Sequence, residues 1–251
     1  LVIDHYVPSY DKDAGSRSTW MYLKLLVELG YNVKFIGANF FPHQPYTNEL
    51  QQMGIEVLVG EHFARNIKSW LQDNADYVHA VYVHRPHVAE QFLSMLERME
   101  PRPKLIYFGH DLHYLRKERE LALTGDNKVA AEGRDWRQRE YALFQRFDQV
   151  YYPSQVEIDE IHAQQPEVNA RAIPLYAFDN DSGLQSSNEN RDGLLFVAGF
   201  NHPPNIDAMQ WFVTEVLPLL RESKPDVTLH IVGSNAPQSI TSLAAERIIV
   251  H

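Results

Sequence analysis

Among the 251 residues there is no cysteine, which excludes disulfides, thiolate nucleophiles and cysteine-ligated zinc and makes a reducing compartment the natural setting. No apolar run approaches the ~20 residues of a membrane-spanning helix, and no signal peptide is visible. The chain is therefore expected to be soluble and cytoplasmic. Positive charge is also scarce: 23 Lys and Arg face 33 Asp and Glu, a formal net charge of −10. No nucleic-acid partner is expected, because displacing phosphate counterions needs a concentrated positive field. The basic stretches 116–119 and 134–146 alternate with acids, as in Lys117-Glu118-Arg119-Glu120, and read as solvated helix faces. Together with Trp70 they leave room for peripheral contact with the inner face of a membrane. The Gly-x-x-x-x-Gly-Lys-Ser/Thr loop, the Gly-x-Ser-x-Gly elbow and the Gly-x-Gly-x-x-Gly fingerprint are all missing, so P-loop, lipase-like and standard dinucleotide readings lose their main support.

What is present is a rhythm of short apolar runs alternating with helical patterns, the signature of βαβ units on a parallel sheet. Strands are predicted at Leu1–Ile3, Val33–Ile36, Ile55–Val59, Tyr77–Val83, Leu105–Phe108, Gln149–Tyr152 and Arg171–Ile173, enough for one doubly wound domain over residues 1–178. A helix from about Ser16 to Leu29 carries Trp20, Leu23, Leu26 and Val27 on one face and ends at Gly30. Ser154 and Glu157 form a capping box for a helix through Ile161. The polar, Ser- and Asn-rich stretch 179–192 reads as a linker. From residue 193 to 251 the rhythm restarts: strand Leu194–Ala198, a helix Asn205–Leu220 capped by Asn205, strand Val227–Val232, a short helix near Ile240–Ala245 and strand Arg247–Val250. That is half of a second Rossmann-like domain, and three strands bury their faces only in part, so this piece should be marginally stable by itself. Trp70, Trp136 and Trp211 sit at helical spacing with apolar residues and read as core.

Three turns could carry chemistry. After the first strand, Gly15 and Ser16 open a helix whose free N–H groups attract an anion, while Arg17 opposes the helix dipole unless it meets one. The alternative is a plain turn glycine. At the end of the fifth strand, Gly109-His110-Asp111-Leu112-His113 stands where ligands bind in open α/β sheets. His110, Asp111 and His113 could form a metal site, a structural cap or a sugar or phosphate pocket. At the end of the eighth strand, Gly199, Asn201 and His202 could face a ligand, or form only a turn stiffened by Pro203 and Pro204. His79, His84 and His87, with Arg85, surround another strand end and read as loop and core-edge histidines rather than metal ligands.

Taken together, Asp13-Ala-Gly-Ser-Arg17, Gly109-His-Asp-Leu-His113, Phe196-Val-Ala-Gly-Phe200, Pro204-Asn205, Leu217-Pro218 and Leu229-His-Ile-Val-Gly-Ser234 resemble the retaining family 4, or group 1, glycosyltransferases over nearly the whole chain. The resemblance implies a GT-B fold, with a complete N-terminal Rossmann-like domain and the first half of a donor domain. The Glu-x7-Glu region of the family would lie beyond His251, so a truncated donor domain is expected, and Leu1 opening inside an apolar run suggests trimming there too. It further implies a nucleotide-sugar donor, a glycan or glycolipid acceptor, retention of anomeric configuration and no metal or cofactor. His110 would contact the transferred sugar, and His110 and Asp111 are expected to be the catalytic residues. Gly15 and Ser16, and from the other domain Gly199 and Asn201, would face the diphosphate. Arg17, Arg85 and His113 are expected on the acceptor side. The Arg and Lys that many relatives carry after the donor-domain glycine are absent from Asn201-His-Pro-Pro-Asn205. A non-catalytic binding or assembly module of the same origin is the alternative.

Overall fold

The computed structural model describes residues 1–178 and 191–251; the proposed linker lies almost wholly outside the described residues. The chain forms two compact units, Leu1–Asp179 and Asn180–His251. The first runs β1 (Val2–Asp4), α1 (Ala14–Glu28), β2 (Lys34–Gly37), α2 (Tyr46–Gln52), β3 (Glu56–Leu58), α3 (Glu61–Asp73), β4 (Ala80–His84), α4 (Pro86–Leu96), β5 (Lys104–Phe108), α5 (His113–Thr124), α6 (Asn127–Phe144), β6 (Gln149–Tyr152), α7 (Gln155–Gln164) and β7 (Ala170–Ala172). All seven strands are parallel, in the order β3-β2-β1-β4-β5-β6-β7. This is the Rossmann order with one strand added, and the direction of winding reverses between β1 and β4.

Alternate residues along each strand enter opposite cores, as the pleat requires. Val2, Phe35 and Val57 pack with Leu23 of α1 and Leu50 of α2 on one face. Ile3, Ile36 and Leu58 join Val81, Val83, Tyr107 and Tyr152 under α3, α4, α6 and α7 on the other. The basic stretches do form helix faces, but several of their arginines are paired: Arg139 with Glu90 on α4 and Arg146 with Glu97 just after it each make two bonds to one carboxylate. Tyr77, expected to begin a strand, instead ends a 3-10 turn at Ala75–Tyr77 and is 75% exposed; the strand starts three residues later. There the amides of Tyr77 and Val78 turn back onto the carbonyls of Asn74 and Ala75, so they cannot pair across the sheet.

The second unit runs β8 (Leu194–Val197), α8 (Pro203–Trp211), a π-helical turn Phe212–Val216, α9 (Leu217–Ser223), β9 (Leu229–Val232), α10 (Gln238–Thr241) and β10 (Ile248–Val250). Its parallel strands lie in the order β10-β9-β8, again 3-2-1. Asn205 is not the cap of α8: the helix begins two residues earlier, at Pro203, with His202 as the capping position, because a proline needs no partner for a missing N–H in the first turn. The π turn falls just before Pro218, which has no amide to give the carbonyl of Thr214. The short helix ends at Thr241 rather than running on to Ala245, because Ala245 pairs with Ile248 in an isolated antiparallel bridge. Trp211 is 57% exposed, not core.

Candidate functional site

The point where the winding reverses brings together residues far apart in sequence. β1 ends in Asp4, β4 ends in His84 followed by Arg85, and β5 is followed by Gly109 and His110. Asp4 is almost wholly buried, yet its carboxylate is satisfied on every side: it accepts from the amide of His5 at 2.7 Å, from Thr19 Oγ1 at 2.7 Å and from Arg85 Nε at 2.8 Å. Burial alone would raise the Asp4 pKa, but the Arg85 guanidinium and the surrounding donors outweigh it and hold the group ionised, well below the usual carboxylate range. Arg85 reaches Asp4 from a left-handed backbone, φ 68°, just before Pro86 at the start of α4. A side chain in that region costs on the order of 1–3 kcal/mol and is kept where the surroundings over-determine it. Here the amide of Arg85 is bound to the Phe108 carbonyl while Nε is bound to Asp4.

Gly15 explains how the guanidinium is accommodated. A Cβ at this position would sit 2.7 Å from Arg85 Nη2 and 3.3 Å from Asp13 Oδ1, so the glycine leaves room for Arg85. The N-terminus of α1 is already occupied. Asp13 caps it, accepting from the Ser16 amide at 2.8 Å and the Ser16 hydroxyl at 2.7 Å, and also takes the Tyr6 hydroxyl at 3.0 Å. Ser16 is buried with both of its donors spent, and Arg17 points out to solvent. Two carboxylates, Asp4 and Asp13, thus flank one guanidinium, and the site holds no surplus positive charge of its own.

His84 is fully buried between the rings of Tyr82 and Phe108, with centroids 4.7 and 5.3 Å away. Its Nδ1 lies 3.3 Å from Nε2 of His110. Burial is the first cause that drives both imidazoles towards neutrality, lowering His84 to about 4 and His110, beside His84, to about 3. One ligand atom from each of Asp4, His84 and His110 falls within 4.8 Å of the others. Three donors already on Asp4, one of them the Arg85 guanidinium, make this a poor cation site, because a metal would have to displace them against like charge. At the rim, His5 Nδ1 and His87 Nε2 stand 3.0 Å apart.

The three residues that could have formed a metal site from sequence part company. His110 goes to His84, Asp111 to Arg116 Nη1 at 2.8 Å, and His113 to the buried carboxylate of Glu140. Glu140, on α6, receives the amides of His113 and Tyr114 at 2.9 and 3.1 Å and so caps α5 from another helix. His113 stacks on Trp136, centroids 4.3 Å apart. Asp4, His84 and Glu140 were not singled out from sequence as members of a site. The available signal was a charged or polar residue closing an apolar strand, as in Val2-Ile3-Asp4 and Val81-Tyr82-Val83-His84.

In the second unit, Gly199 follows β8 and its carbonyl accepts from Asn205 Nδ2 at 2.9 Å, while Asn201 is exposed in the turn. No side chain caps the start of α8. The glycine that sterics demand is Gly233, where a Cβ would sit 1.8 Å from the Ala198 carbonyl oxygen; at Gly199 the nearest atom would be Ser234 Oγ at 3.9 Å.

No protein-family profile matches the chain, and no curated protein matches it in sequence. Among solved structures it is similar to an alpha-glucosyltransferase in complex with UDP and a 13-mer DNA containing a central A:G mismatch, at 7% identity and a TM-score of 0.45, over 96% of this chain and 57% of that one. The chain therefore spans a little over half the length of that protein.

Proposed function

We propose that this protein is a GT-B glycosyltransferase that moves a sugar from a nucleotide-sugar donor to an acceptor hydroxyl with retention, in polysaccharide or glycoconjugate assembly. The observation that carries the reading is the charge-compensated, donor-rich cluster of Asp4, Arg85, His84 and His110 at the carboxyl ends of β1, β4 and β5. A site with neutral imidazoles and a guanidinium balanced by carboxylates suits an uncharged polyhydroxyl ligand, whose oxygens need directional hydrogen bonds rather than a net field. His110 is the residue assigned to the transferred sugar, with Arg85 beside it on the acceptor side. Asp111 and His113 support that loop, through Arg116 and Glu140, and Arg17 stands at the outer rim. Because the start of α1 is taken by Asp13, the reading leaves the diphosphate to the turn of Gly199 and Asn201 in the second unit, where no side chain caps the following helix; Pro203 and Pro204 have no N–H, so the loop rather than the helix start would make the contact. Placing the donor and the acceptor hydroxyl in line while fixed dipoles meet the developing charge is what such a site supplies. No metal or cofactor is required.

The test is release of nucleotide by the full-length protein from a panel of UDP-, ADP- and GDP-sugars, with and without candidate glycan or glycolipid acceptors. Release that falls about 100-fold in His110→Ala and persists with a chelator supports the reading. No release from any donor with any acceptor overturns it in favour of a binding module.

A further inference from the structure

We infer that His84 is a positioning residue that holds His110 in the tautomer with its proton on Nδ1, so that His110 offers its ligand a neutral N–H donor. The geometry leaves one proton to share between His84 Nδ1 and His110 Nε2, 3.3 Å apart. Which ring owns it follows from the far side of His84, whose Nε2 is buried without a hydrogen-bond partner. If His84 carried its proton on Nε2, a buried N–H would have nothing to accept it and would lose its hydration without compensation; orphaned donors are the rarer fault in folded proteins. With the proton on Nδ1, only a lone pair is left bare. His84 then donates to His110 Nε2, and His110, neutral as well, must carry its own proton on Nδ1. His84 cannot swing away, being held between Tyr82 and Phe108. The charged groups facing the pair are Asp4, Arg85 and Asp111.

For sugar transfer, on which this consequence rests, a His110 with a proton on Nδ1 reads a ligand oxygen as an acceptor and does not abstract a proton. The test uses the full chain labelled with 15N-histidine, without substrate at neutral pH, and two-bond proton–nitrogen correlation. His110 is assigned by the signals lost in His110→Asn. The expected spectrum shows Nδ1 protonated and Nε2 bare; a proton on Nε2, or averaged nitrogens, overturns the inference. In His84→Phe, which fills the space without a donor, His110 is expected to leave that single tautomer, and an unchanged spectrum overturns the positioning role. The wild-type spectrum decides the tautomer without any variant. Recorded without substrate, it also stands or falls separately from sugar transfer.

Discussion

Gly15→Ala separates the role of space from that of structure. Its new methyl would press on the tip of Arg85, a flexible atom rather than backbone, so stability should change by less than about 1 kcal/mol while activity falls at least tenfold; denaturation midpoints and nucleotide release measure the two. Asp4→Asn should do the reverse in part, losing about 2–4 kcal/mol, because the Arg85 charge is left with a neutral partner in a site with little water. The two imidazoles give the pH dependence its sign. His84 and His110 are lowered to about 4 and 3 when folded, against 6.5 for the free group. The folded state therefore binds fewer protons than the unfolded one between these values. Their contribution is fully present above pH 6.5 and is lost as the pH falls towards 4 for His84 and 3 for His110, by roughly 1.4 kcal/mol per unit for each imidazole. Chemical denaturation as a function of pH should show that slope, and His84→Phe should flatten it.

α5 begins at His113, the fourth residue after the Gly109 that leads out of β5, and the cap that holds it there comes from elsewhere: Glu140 on α6 takes two of its first amides and Glu157 on α7 takes the amide of Leu112. Glu140→Ala should cost about 2–3 kcal/mol and loosen the His110 loop, lowering activity beyond the loss of folded protein. Gly109 is set by the same packing. A Cβ there would meet the Tyr152 ring at 2.1 Å, so Gly109→Ala should destabilise by about 1–3 kcal/mol, read as a lower denaturant midpoint. The helices whose period and caps are local, α1 with Leu23 inward and α7 with its Ser154 cap, were legible in the sequence. The start of α5 was not, because its cap lies 26 and 27 residues further along the chain.

Across the whole molecule the two units differ in what they bury. The first has aromatic and aliphatic cores on both faces of seven strands, whereas the second has one small core around Leu229, Ile231 and Ile248 and leaves Leu195 and Val197 of β8 69% and 68% exposed. Amide exchange should therefore show the second unit opening at lower free energy than the first. Sequence by itself determined the βα rhythm, the parallel sheets and the restart after residue 192, because apolar period and turn chemistry act over a few residues. It also placed His110 and Arg85 at strand ends. Only the tertiary structure decided what they meet there. Asp4 and Arg85 are 81 residues apart in the chain, and His84 and His110 are 26 apart. They come together because β4 pairs with β1 rather than with β3, and strand order is set by how the sheet buries its faces. The same packing gave the start of α1 to Asp13 and the space at Gly15 to Arg85, assignments that depend on distances between elements and leave no trace in local spacing.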